Sequence, residues 1–159
     1  MIIAIKFNDV ILAVHIMAVV AAFGVLLAYP LLVGLGRRID PRGLPFLHRT
    51  QQQVIGRLVT SGLVVVIIAG IYLASELKAF SAFYVQWGFV AAIALGGIAS
   101  GYLGPREGRL AELAERDLAG GGTLSAEYDA LSHQVRAVSA LASVLVLATV
   151  FVMTTHLGM

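Results

Sequence analysis

Apolar positions in this chain gather into four long runs, separated by two long polar connections and one short one. Residues 10–35 contain no Asp, Glu, Lys or Arg, and His15 is the one polar interruption. A helix rises about 1.5 Å per residue, so this run exceeds the roughly 20 residues that cross a bilayer core. Three further runs follow. The predicted spans are about 9–34, 58–75, 81–103 and 136–157. The expected fold is all-α: a single-domain transmembrane four-helix up-down bundle over residues 1–159, its long connections forming helical extensions.

The connections carry their own patterns. After Pro41, Gly43 and Pro45, the stripe Phe46, Thr50, Val54 and Leu58 predicts a helix running straight into the second span. The short turn after Glu76 and Lys78 makes spans two and three antiparallel neighbours. Gly97 and Gly101 form a small-xxx-small pair suited to close helix contact. Gly104–Pro105 is expected to close span three. Leu110, Leu113, Ala114 and Leu118 mark a short amphipathic helix, which Gly120, Gly121 and Gly122 end. Thr123 is the expected cap of the last helix, as Asn8 or Asp9 is of the first. Its stripe runs through Leu124, Tyr128, Leu131, Val135 and Val138.

Composition agrees with a lipid solvent. Hydrophobic residues make up 59% and the mean hydropathy is +0.91, against about 45–50% apolar in soluble domains. Cysteine is absent, which excludes disulfides and thiolate chemistry. The first run is longer than a signal-peptide core, and no small-x-small site precedes Arg37, so it is expected to be an anchor. A net charge of +2 does not call for nucleic acid. Topology explains the basic residues better. Arg37, Arg38, Arg42, Arg49, Arg57, Arg106, Arg109, Arg116 and Arg136 fall in the two long connections, against Lys6 and Lys78 elsewhere. The positive-inside rule then places those connections in the cytoplasm of a bacterial plasma membrane, with both termini outside.

Candidate chemistry is sparse. No HExxH, GxSxG, Walker or Rossmann pattern is present, so the reading leans away from an enzyme. His15 is the ionisable group well inside a span, where such groups raise a functional question. A neutral imidazole that simply packs is the plain alternative. His156 lies at a similar depth: the two are about 11 and 12 Å outward of their span centres at 1.5 Å per residue. Adjacent first and fourth helices could bring them together as ligands for haem b. Met153 shares a face with His156, and the set His15, Met153 and His156 would suit copper. Asp9, Tyr72, Gln86, Thr154 and Thr155 either join His15 in one polar pocket or mark separate helix ends. His48 and His133 are expected to be solvated or capping. The acids of residues 107–129 alternate with Arg, as on a solvated face.

The opening VILAVHIMAVVAAFG, with His15, Ala18, Ala21, Ala22 and Phe23-Gly24 before a basic Gly36-Arg37-Arg38 exit, resembles bacterial four-helix integral membrane proteins of unknown function. More distantly it resembles the copper-resistance D membrane domain. The latter resemblance implies outward-facing His and Met ligands; the former implies no activity. Three functional classes follow: a non-enzymatic accessory or assembly protein with a membrane partner or a second copy of itself, a haem- or copper-binding protein, and a small oligomeric channel or carrier.

Overall fold

The computed structural model describes residues 6–155. It has six α-helices: α1 (Phe7–Ile39), α2 (Leu44–Val54), α3 (Thr60–Glu76), α4 (Phe83–Gly96), α5 (Gly104–Leu118) and α6 (Ala126–Thr155). A π-helical stretch, Ile55–Val59, joins α2 to α3 without a break, and a second, Gly97–Leu103, joins α4 to α5. The result is four long rods, each long and apolar enough to cross a membrane. The chain is a membrane protein with an all-α four-helix bundle. Around the bundle α1 packs on α3, α3 on α4, α4 on α6 and α6 on α1, the up-down order.

Apolar residues cover the outside of the spans as well as the inside. Met17, Leu31 and Ile93 are 68%, 70% and 70% exposed, which suits contact with lipid rather than water. The inner faces close on Ala22, Leu26, Leu95, Ala99, Ala142 and Val146. Small residues set the spacing. A Cβ placed on Gly62 would stand 2.7 Å from the Ala22 Cβ, so α1 and α3 meet almost backbone to backbone. Gly88 receives the Met153 side chain in the same way. Gly97 and Gly101, in contrast, have nothing within 4 Å. The expected small-xxx-small contact is therefore not made within the bundle. Those glycines belong to the wide π turn, whose altered phase carries them away from the neighbouring helices.

Gly104–Pro105 does not close the third rod. Proline removes one helical hydrogen bond, and the π-helical stretch immediately before it absorbs the irregularity. α5 therefore continues outward and lies along α2. The stripe expected on α2 is rotated as well. Phe46 is 73% exposed and Leu58 41%. The buried positions are Leu44, His48, Gln51, Ile55 and Val59. On α5 the inward face is Glu107, Leu110, Ala111, Leu113 and Ala114. The turn to α6 uses Gly120 and Gly121 at φ of 68° and 87°, values that glycine adopts freely. Ser125, not Thr123, caps α6: its hydroxyl accepts the Tyr128 N–H at 3.3 Å. The first helix starts at Phe7, and Asp9 accepts the Lys6 N–H at 3.0 Å.

Pro30 sits inside α1 without ending it. Lacking an N–H, it leaves the Leu26 carbonyl four residues earlier without its usual partner. Ser143 of α6 supplies one, donating its hydroxyl to the Leu26 oxygen at 3.3 Å while also bonding the Ser139 carbonyl at 2.9 Å.

Candidate functional site

The strongest concentration of buried polar chemistry lies where the bundle emerges from its apolar spans toward the two long connections. Four side chains meet there, one from each rod. Tyr29 comes from α1, His48 from α2, Glu107 from α5 and Tyr128 from α6. Their exposures are 6%, 1%, 1% and 0%.

The helices place them by ordinary spacing. His48 is one turn beyond buried Leu44 and one turn short of buried Gln51. Glu107 stands three and four residues before buried Leu110 and Ala111. Tyr128 is three residues past the Ser125 cap, so its ring enters the core at the first turn of α6.

The hydrogen bonds close on themselves. Tyr29 donates its hydroxyl to Glu107 Oε2 at 2.9 Å. His48 Nδ1 lies 2.7 Å from the same oxygen and 2.9 Å from the Tyr29 hydroxyl. A carboxylate only accepts, so Nδ1 carries the proton. Nε2 then accepts from the Tyr128 hydroxyl, 2.8 Å away. Tyr128 precedes the uncharged part of its helix. Burial pushes its phenol up to about 12, so it keeps its proton at neutral pH and remains a donor. The imidazole also stands edge-on to both tyrosine rings, at 6.3 and 5.8 Å between centroids.

Beside the cluster a crevice between α1 and α6 is lined by Pro30, Val33, Ser132, Val135, Arg136 and Ser139. Its volume of about 10 Å³ accommodates about one water molecule. An organic substrate has no room to reach the cluster.

This site was not the expected one. His48 was expected to be solvated or capping, and Glu107 to be on a solvated face. Both are among the most buried residues in the chain. His133 is exposed on α6, as a solvated residue would be. The signal was available in the 44-48-51-55 spacing on α2, which keeps one helical face through a histidine and a glutamine.

His15 is half-buried on α1 and faces α3. A Cβ on Gly70 would lie 3.4 Å from its Cε1. Its Nδ1 is buried without a hydrogen-bond partner, although the Val66 carbonyl is the backbone acceptor beside it. Met153 turns instead onto Gly88 of α4. His156 lies outside the described residues. Among the described residues, no group of three or more His, Asp or Glu is gathered as a metal would require.

The residues considered for a pocket around His15 occupy separate helix ends. Tyr72 donates to Asn8 Oδ1 at 2.9 Å, Gln86 reaches the Phe80 carbonyl at 3.5 Å, and Asp9 bonds Lys6. Thr154 and Thr155 bond back to carbonyls of their own helix.

Comparison with protein-family models, with curated proteins and with solved structures gives no match.

Proposed function

We propose that this protein is a non-enzymatic accessory or assembly protein of the bacterial plasma membrane. Its arginine-rich connections lie in the cytoplasm and its termini outside. The observation that carries this reading is the closed cluster of Tyr29, His48, Glu107 and Tyr128. Both tyrosine hydroxyls, both imidazole nitrogens and Glu107 Oε2 are engaged with one another, which ties the four rods together and supports a rigid platform rather than a reaction chamber. The excess of arginine in the two connections supports the orientation. Cross-linking in intact membranes, together with reporter fusions at each terminus, tests it. A discrete adduct with another membrane protein or a second copy is expected, with both reporters outside. No adduct, or a terminus in the cytosol, would overturn the reading.

A second reading rests on His15. A buried Nδ1 without a partner is costly, and a metal or haem b held with His156 would satisfy it. The likeness of the opening helix to the copper-resistance D domain points the same way. An absorption spectrum with elemental analysis on the purified protein separates the two. A Soret band or stoichiometric copper, lost in His15→Ala, favours the second reading; a colourless, metal-free preparation from metal-replete cells removes it.

A further inference from the structure

Contacts between the rods fix their relative heights. Gly62 abuts Ala22, Gly96 abuts Leu63, Gly104 abuts Ile55 and Gly108 abuts Gln52. The Leu26 carbonyl meets Ser143, and Arg37 meets Asp129. Followed along these matches at 1.5 Å per residue, Arg57, Arg106 and Arg136 stand within about 6 Å of one height. Each lies at the edge of an apolar span: Arg57 directly before residues 58–75, Arg106 just after 81–103, Arg136 directly before the uncharged stretch from 137 onward.

These three arginines differ from those farther out. Arg37 pairs with Asp129 at 2.7 Å, Arg49 with Glu115 at 2.6 Å, Arg109 with Glu127 at 3.0 Å and Arg116 with Glu127 at 3.2 Å. Among the described residues, no carboxylate lies within ion-pair distance of Arg57, Arg106 or Arg136. Arg106 stacks 3.5 Å over the Tyr102 ring and donates to the Tyr102 carbonyl. The one acid at this height, Glu107, is turned inward and held by His48 and Tyr29. Arg38 and Arg42 lie beyond this height, beside Asp40 in the outer turn.

We infer that Arg57, Arg106 and Arg136 form a belt that recruits net-anionic phospholipid to the leaflet at the connection end. The guanidinium fork matches a phosphate in two-point contact. Its aliphatic stem can lie along the apolar surface while the charge reaches the headgroup. Directly above, Leu58, Leu141 and Val144 are 41%, 62% and 63% exposed and offer a surface for acyl chains. Three uncompensated cations at one height disfavour the choline of a zwitterionic lipid. Each arginine near an anionic surface changes partition about five-fold.

The test uses the full chain in bilayers of equal phosphatidylglycerol and phosphatidylcholine, with the retained lipids counted by native mass spectrometry. Wild type is expected to enrich phosphatidylglycerol. The triple variant R57Q/R106Q/R136Q should lose that enrichment, and R49Q/R109Q/R116Q should keep it. The triple lysine variant at the belt keeps the charge and should retain most of the preference, which answers the case in which the glutamine variant does not fold. Equal uptake of both lipids by wild type would overturn the inference. So would an equal loss in the outer triple variant, or loss of the preference in the lysine variant.

Discussion

His48 Nδ1 and Glu107 Oε2 are 59 positions apart in the chain and 2.7 Å apart in space. α2 leads into the second span and α5 leads out of the third, so this contact closes the bundle beyond the lipid. Both side chains are buried, and if either is lost the other keeps only tyrosine hydroxyls as partners.

Glu107→Ala should therefore lower stability by about 3 kcal/mol, the range for breaking a buried pair. Glu107→Gln keeps an acceptor oxygen and should cost less. Thermal unfolding of the purified protein in detergent measures both. A midpoint unmoved in Glu107→Ala would mean that the pair contributes nothing to holding the rods together.

Tyr128→Phe removes the donor to His48 Nε2 without changing shape. The expected cost is about 1–2 kcal/mol. In a double-mutant cycle with His48→Gln the two losses should not add, because they remove one bond. Additive losses would place Tyr128 outside the network.

Ser143→Ala should cost about 0.6 kcal/mol, typical of a hydrogen bond between membrane helices. In a Pro30→Ala background the Leu26 carbonyl regains a helical partner, and the effect of Ser143→Ala should shrink toward zero. An undiminished cost there would assign the role of Ser143 to its bond with Ser139 alone.

Gly62→Leu should drive α1 from α3 and lower the unfolding midpoint sharply, since overpacking costs about 1–3 kcal/mol or more. Gly97→Ala and Gly101→Ala meet open space and should be neutral or mildly stabilising. A Gly97→Ala variant as damaged as Gly62→Leu would reveal a second copy packed on that face.

Arg49, hydrogen-bonded to Glu115, holds that carboxyl below its ordinary value of 4.5. A depressed carboxyl stabilises the fold above that ordinary value, and the contribution fades as pH falls through the lower folded value. The small difference in melting between wild type and Arg49→Gln should thus be constant at neutral pH and disappear in acid. A difference that grows on acidification would reverse the assignment.

The four spans were readable because apolar runs without charge have few alternatives at that length. The helical character of the connections was readable from periodicity. The facing of α2 was not, because two stripes one step apart both contain apolar residues. Phe46, Val54 and Leu58 looked like the core side; Leu44, His48, Gln51 and Ile55 form it. Polar residues in the true stripe disguised it. Glu107 was hidden similarly, by arginines on both sides that belong to other faces. The pairing of His48 with Glu107 depends on the relative heights of two rods, and no local pattern encodes that. His15 was readable as an oddity in a span, but the helix it would face was not.

The two wide turns at Ile55–Val59 and Gly97–Leu103 lie side by side, with the Thr60 and Ser100 hydroxyls 3.3 Å apart between them. Each acts as a gearing between a greasy shaft and a watery one. Deleting a single residue from either would swing everything beyond it by about 100°, turning His48 or Glu107 outward. The facing of the extensions is thus set by these two turns, at the ends of the second and third spans.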